Sequence, residues 1–103
     1  MACIVSEVGD TVAASIRVSG RVQGVGFRFF AVDVADELGI TGWVKNLTDG
    51  RVEVEAHGAK ESVEVMIERM HQGPPGSSVS NVDVMWLPDQ VQTHNPSDFQ
   101  IVR

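Results

Sequence analysis

The residues best suited to chemistry lie in one glycine-rich stretch, Gly20–Arg28, which reads Gly-Arg-Val-Gln-Gly-Val-Gly-Phe-Arg. It follows a segment that alternates like a strand and precedes apolar residues at helical spacing. Glycine lets the backbone approach a ligand closely, so that successive N–H groups can converge on one anion. A helix start adds unpaired N–H groups, and Arg28 there adds a planar cationic fork. The stretch predicts a phosphate-binding loop, although a plain glycine-rich turn beside a surface arginine fits the local spacing equally well.

The spacing of these glycines differs from that of two well-known nucleotide-binding loops. The dinucleotide fingerprint is G-x-G-x-x-G, whereas this chain has G-x-x-x-G-x-G. The P-loop ends in Gly-Lys-Ser/Thr, but Gly26 is followed here by Phe27 and Arg28. Without a phosphate-binding lysine or a hydroxyl for Mg²⁺, nucleotide hydrolysis is not expected.

Composition indicates one ordinary globular domain, at 11–103, after a loose tail at Met1–Asp10. The 103 residues suffice for a single two-layer core, and no run of about 18 apolar residues could span a membrane. The one cysteine, Cys3, can form no disulfide within the chain, and the acidic tail is no signal peptide, so a reducing cytoplasm is expected. A net charge of −6 argues against nucleic acid as a partner, and any anion site must therefore be built locally.

Hydrophobic periodicity predicts two helices among five strands. Asp49-Gly50, between two strand-like runs, is a strong hairpin signal. The predicted elements, in order, are strand Thr11–Ser19, helix Phe27–Leu38, strands Ile40–Leu47 and Arg51–His57, helix Lys60–Gln72, strand Val79–Leu87, a polar connection at Pro88–Ser97 and a short strand Phe99–Val102. This β-α-β-β-α-β order with a short extra strand predicts an α+β, ferredoxin-like sandwich: two helices on one face of a four-stranded antiparallel sheet.

A second motif, Gly42-Trp43-Val44-Lys45-Asn46, precedes Asp49-Gly50, and the second predicted helix stops at Gly73-Pro74-Pro75. Together with Gly20–Arg28, these motifs resemble those of the acylphosphatase family, and the likeness runs from about Thr11 to the C-terminus. The resemblance implies the ferredoxin-like fold. It also implies hydrolysis of the carboxyl–phosphate bond of a small acyl phosphate to a carboxylate and inorganic phosphate, with no metal and no cofactor.

The resemblance also implies roles for individual residues. Arg28 matches the phosphate-binding arginine of the family, and Asn46 matches the asparagine that positions the attacking water. On its own, Asn46 would be read as a turn residue before Asp49-Gly50. The loop whose backbone N–H groups surround the phosphate corresponds to Arg21, Val22, Gln23, Gly24, Val25 and Gly26. Two departures are Phe29, where many members have Tyr or Trp, and the C-terminal Arg103, where many end in Tyr.

The leading hypothesis is a free-standing, monomeric enzyme in which water attacks phosphorus directly. The departing carboxylate has a parent pKa of about 4, so it hardly needs a general acid. The histidines, His57, His71 and His94, share no metal-ligand spacing. The alternative is a non-catalytic phosphate-binding module on the same fold, which would need Arg28 but not Asn46. An RNA-binding sheet is disfavoured because Glu53 and Glu55 occupy the strand where basic and aromatic residues would be required.

Overall fold

Segments that alternate between apolar and polar residues form the strands of this protein, and segments with helical spacing form its helices. The computed structural model describes residues 11–87 and 99–102. The expected tail at Met1–Asp10 with Cys3, the connection expected at Pro88–Ser97 with His94, and Arg103 lie outside the described residues. The elements are β1 (Thr11–Arg21), α1 (Phe27–Leu38), β2 (Thr41–Asn46), β3 (Val52–Ala59), α2 (Lys60–Gln72), β4 (Ser78–Leu87) and β5 (Phe99–Ile101).

The predicted order of elements is confirmed, and both helices have the predicted bounds. Strand ends differ slightly, because the alternation of side chains does not say where pairing stops. β1 continues two residues beyond the predicted Ser19, and β3 continues two residues beyond His57. The extension of β1 includes an irregularity of register between Ser19 and Gly20, so the strand is already distorted where the glycine-rich loop approaches.

The sheet has the strand order β4-β1-β3-β2-β5. The first four strands are antiparallel neighbours, as predicted. The prediction of a purely antiparallel four-stranded sheet is nevertheless wrong, because β5 pairs in parallel with β2 and makes a mixed sheet of five strands. β5 covers the edge of β2 that would otherwise leave its backbone groups unpaired, and it buries Phe99. Periodicity predicted the extra strand but carries no information about its partner.

The core lies between one face of the sheet and the two helices. α1 contributes Phe27, Ala31, Val34 and Ala35, which is the stripe predicted from their spacing, and Leu38 packs against it. α2 contributes Val63, Met66 and Met70, so its methionines are core residues as expected. The sheet contributes the alternating residues Ala14, Ile16, Val18, Val44, Val52, Val54 and Ala56. On the edge strand β4, Val82 and Val84 reach this core, whereas Trp86 remains 46 % exposed.

Gly42 allows β2 to lie close against β3. It has φ +136°, and a Cβ added there would lie 1.8 Å from the carbonyl oxygen of Glu55. That neighbour is backbone of the paired strand, so it can give way only if the two strands separate. A side chain at this position is therefore excluded both by conformation and by space.

We expect Gly42→Ala to lower the free energy of unfolding by at least about 3 kcal/mol, because backbone strain and the clash add together. Urea denaturation measures the change. Gly58→Ala is the matched control on β3, since its added Cβ would meet its nearest neighbour, Ile40 Cγ1, at 3.5 Å. We expect this control to change stability by less than about 1 kcal/mol. Equal effects of the two substitutions would contradict the close approach.

Candidate active site

The topology of the sheet brings the two predicted site segments to the same edge. β1 and β2 both pair antiparallel with β3, so they run in the same direction and their carboxyl ends lie on one side. Val18 of β1 and Asn46 of β2 are register partners of the same residue, Val52. Neighbouring strands are about 4.8 Å apart, so Asn46 lies about 10 Å from Val18, three residues before β1 ends and the glycine-rich loop follows. Chain order alone did not establish this juxtaposition.

The glycine-rich loop is held by apolar side chains and turned by glycines. Val22 and Phe27, at its two ends, are each 1 % exposed, and Val25 packs against the same core. Gly24 and Gly26 have φ of +77° and +79°, in the left-handed region that other residues rarely adopt. The valines, predicted as backbone ligands, thus also anchor the loop through their side chains. The glycines let the backbone between these anchors curve outward.

The loop leaves backbone N–H groups free to bind an anion. Within residues 11–87 and 99–102, none of the N–H groups of residues 23–26 donates a backbone–backbone hydrogen bond. Gly26 is the N-cap of α1, where no side chain caps the helix by a hydrogen bond. The first turn of α1 contains no acidic residue. The carbonyl oxygen of Gly26 accepts a hydrogen bond from the backbone N–H of Phe30, with an N···O distance of 3.0 Å. The helix dipole adds positive potential at the same place.

Arg28 is the second residue of α1 and is half-buried beside the loop. Arg17, Arg51 and Arg69 are each within 3.4 Å of a carboxylate oxygen. Neither Arg28 nor Arg21 forms such an ion pair with any acid in the part of the chain that the structure describes. Among the described residues, both guanidinium groups are thus without a carboxylate partner.

The side chain of Gln23 links the loop to the β2–β3 hairpin. Its Nε2 donates to the carbonyl oxygen of Leu47 at 2.8 Å and to that of Arg51 at 2.9 Å. Leu47 directly follows Asn46, so this amide fixes the loop beside the residue predicted to position water. Sequence reasoning assigned Gln23 only a backbone role. Its partners are backbone atoms 24 and 28 positions away, and no local pattern could have identified them.

Asn46 is the last residue of β2 and is half-buried. It lines an open groove of about 450 Å³ together with Arg17, Lys45, Leu47, Thr48, Asp49 and Arg51. The hairpin beside it is closed by hydrogen bonds from Gly50 N to Leu47 O at 3.2 Å and from Leu47 N to Arg51 O at 2.7 Å. Asn46 is thus placed at a fixed backbone position with access for solvent, which a water-orienting residue requires.

Other candidate residues are occupied elsewhere. Glu53 accepts hydrogen bonds from Arg17 Nε at 3.4 Å and Ser15 Oγ at 3.5 Å. Glu55 Oε2 lies 2.8 Å from Nε2 of His57. These carboxylates lie on the sheet face opposite the helices, as expected for strand-face charges rather than a catalytic pair. Lys45 Nζ lies 5.3 Å from the centre of the Trp43 ring.

Two further features of the described residues concern clusters of metal-binding side chains and the length of the helices. Among the described residues, no group of three or more His, Cys, Asp or Glu side chains is arranged to hold a metal ion. In the same residues, neither helix has the length and apolar character needed to cross a membrane.

Several known acylphosphatases are similar to this chain in sequence or in structure. The family model described as acylphosphatase matches residues 14–101. The acylphosphatase of Anaeromyxobacter dehalogenans is 49 % identical over 80 residues, which cover 78 % of this chain and 86 % of that protein. The acylphosphatase of Rhizobium etli is 48 % identical over 90 residues, which cover 86 % and 92 %. The solved structure of an acylphosphatase from Coxiella burnetii superposes with a TM-score of 0.84 at 38 % identity and covers 93 % of this chain and 97 % of that one.

The hairpin beside Asn46 gives a prediction about pH. Hydrogen bonds from the side chain and the backbone N–H of Arg51 lower the pKa of Asp49 from its ordinary value of 3.8. A lowered pKa in the folded state means that charged Asp49 stabilises the turn above pH 3.8, and that this contribution is lost as pH falls through the lowered pKa.

We expect carboxyl NMR titration to give Asp49 a pKa below 3.8 and Arg51→Met to raise it, though not fully, since the backbone hydrogen bond stays. Arg69→Met, which removes a surface arginine paired with Glu37 instead, is the control and should leave the pKa of Asp49 unchanged. An unchanged pKa in Arg51→Met would show that the guanidinium does not hold this carboxylate.

Proposed function

This chain belongs to the acylphosphatase family and is an acylphosphatase, a hydrolase of acyl phosphates, and from that membership we propose how its residues carry out the reaction. Arg28 and the loop amides hold the phosphoryl group, Asn46 orients a water for direct attack, and no metal takes part. One observation carries this proposal: the free N–H groups of the loop and the end of β2 that bears Asn46 meet at the same edge of the sheet.

The phosphoryl group is held mainly by backbone groups. The N–H groups from Arg21 to Gly26 surround its oxygens, and Arg28 supplies a guanidinium that can bind two of them at once. In the loose transition state of phosphoryl transfer, negative charge spreads over three equatorial oxygens. Fixed N–H dipoles pointing at those oxygens stabilise that charge without having to reorganise. The net charge of −6 makes such aimed donors necessary, because the overall field repels the substrate.

Water attacks from the side of Asn46. The side-chain carbonyl of Asn46 accepts a hydrogen bond from the water and directs its lone pair at phosphorus. As the bond between the water oxygen and phosphorus forms, the bond between phosphorus and the acyl oxygen breaks and its electron pair leaves on the carboxylate. The proton of the water passes to a phosphate oxygen or to solvent. An amide cannot act as a base near neutral pH, so Asn46 contributes by orientation alone.

The reaction needs no further acid or base from the protein. The departing carboxylate is the conjugate base of an acid with a pKa of about 4, so it leaves unprotonated. Glu53 and Glu55 already have partners in the protein, since Glu53 accepts hydrogen bonds from Arg17 and Ser15 and Glu55 lies beside His57. A phosphate-binding module without activity, which is the alternative, would not require Asn46 beside the loop.

We expect Asn46→Ala to lower kcat for benzoyl phosphate by about a hundredfold or more, because the water loses its orientation. Its affinity for inorganic phosphate should stay within about threefold of the wild type, since the loop amides and Arg28 remain in place. EDTA should leave the activity of the wild type and that of Asn46→Ala unchanged. Asn81→Ala, at an exposed position on β4, is the control and should behave like the wild type. Loss of phosphate binding in Asn46→Ala would contradict a role limited to water.

Arg28→Ala should lower both kcat and the affinity for phosphate, because its guanidinium touches the phosphoryl group in ground and transition states alike. Removing one preorganised donor typically costs about 3–4 kcal/mol of transition-state stabilisation. Inhibition by inorganic phosphate measures the affinity. Arg69→Ala, which removes a surface arginine paired with Glu37, should change neither quantity. Near-normal turnover in Arg28→Ala would refute the proposed phosphate site.

A further inference from the structure

We propose that the side chain of Gln23 is a positioning residue: it holds the phosphate loop at a fixed distance from Asn46, so that the water and phosphorus meet in line. The inference rests on the proposed function, because it assumes that the loop binds the phosphoryl group and that Asn46 orients the water. It concerns the side-chain amide of Gln23, which is distinct from the backbone N–H of that residue.

The side-chain amide of Gln23 bridges the glycine-rich loop and the β2–β3 hairpin. An amide NH₂ has two hydrogens, and Nε2 of Gln23 has one acceptor for each, the carbonyl oxygens of Leu47 at 2.8 Å and Arg51 at 2.9 Å. Leu47 and Arg51 are the first and last residues of the connection between β2 and β3. The amide therefore binds both ends of the connection, and one of its two acceptors, the carbonyl oxygen of Leu47, belongs to the residue that follows Asn46 directly in the chain.

Other contacts of the loop do not replace this bridge. Val22 and Phe27 anchor its two ends in the core between sheet and helices. Between them, Val25 packs against the same core, whereas a Cβ placed on Gly24 or Gly26 would meet nothing within 4 Å, so the two glycines themselves make no packing contact. Within residues 11–87 and 99–102, no other side-chain hydrogen bond joins residues 22–28 to residues 46–51. Core packing holds the loop against the sheet and helices, and among the described side chains Gln23 is the one that ties it to the hairpin by hydrogen bonds.

In this arrangement, the binding of phosphate and the attack of water on phosphorus depend on different contacts. The loop amides and Arg28 belong to one continuous segment, so phosphate can bind even if that segment shifts as a unit. Asn46 belongs to another segment, and a shift between the two changes the distance and angle of attack. A misplacement of about 1 Å can cost about a hundredfold in rate. Loss of the bridge should therefore reduce turnover and leave phosphate affinity nearly intact.

The test is a double-mutant cycle with Gln23→Met, which keeps the length of the side chain and removes both donors, and Asn46→Ala. We expect Gln23→Met to lower kcat for benzoyl phosphate by about 10- to 100-fold in the wild-type background. In the Asn46→Ala background the same change should lower kcat by less than about threefold, because no oriented water is left to misplace. The inhibition constant of inorganic phosphate should stay within about threefold in every variant.

Gln72→Met, at an exposed position at the end of α2, is the matched control and should leave kcat unchanged. Equal losses of kcat in both backgrounds would overturn the inference, since a general weakening of the fold acts regardless of Asn46. A parallel loss of phosphate affinity would overturn it as well, because Gln23 would then shape the loop itself. Full activity of Asn46→Ala alone would instead refute the proposed function, which keeps the two failures distinguishable.

A second variant covers the case in which Gln23→Met does not fold. In Gln23→Glu the introduced carboxyl faces two carbonyl oxygens, which disfavour its charged form and raise its pKa. The protonated carboxyl can donate one of the two lost hydrogen bonds. We expect kcat of this variant, relative to the wild type at the same pH, to rise several-fold between pH 7 and pH 4.5. A ratio that does not change with pH would overturn the inference.

Discussion

Backbone N–H groups that bind an anion must stay free of partners within the protein, so something other than their own hydrogen bonds has to hold them in place. The loop after β1 meets this constraint in three ways. Val22 and Phe27 fix its ends by burial, Gly24 and Gly26 set its curvature, and Gln23 ties it to the hairpin. A loop that satisfied its own N–H groups would be just as ordered, but it would have nothing left to offer a phosphate.

The sheet supplies the frame on which this loop depends. β3 lies between β1 and β2 and is antiparallel to both, so the loop and Asn46 leave the sheet at the same edge. The absence of a Cβ at Gly42 lets β2 lie tightly against β3. β5 covers the outer edge of β2. The strand that carries Asn46 is therefore paired on both sides from Gly42 to Val44, unlike the edge strand β4.

The pattern of apolar and polar residues predicted the helices, strands and turns, because each of these depends on residues that are close together in the chain. The apolar stripe from Phe27 to Leu38 and the Asp49-Gly50 turn are examples. The resemblance of Gly20–Arg28 and Gly42–Asn46 to one family predicted the family, and the comparisons confirm it. The parallel pairing of β5 with β2 and the bridge from Gln23 to the hairpin were beyond reach. Both join residues far apart through backbone atoms, which no side-chain pattern encodes.

A site built from backbone groups also places unusual demands on the sequence. The groups that would hold the phosphate exist at every residue, so side chains matter there mostly for the conformation they allow and the core they reach. Phe29, noted above as a departure from Tyr or Trp, is 67 % exposed, so its ring carries little of the packing that holds the loop. Gly24, Gly26 and Gln23 have no such freedom, because conformation fixes the first two and two specific carbonyl partners fix the third. In the proposed site of this acidic chain, specificity for phosphate thus comes from geometry rather than from an excess of positive charge.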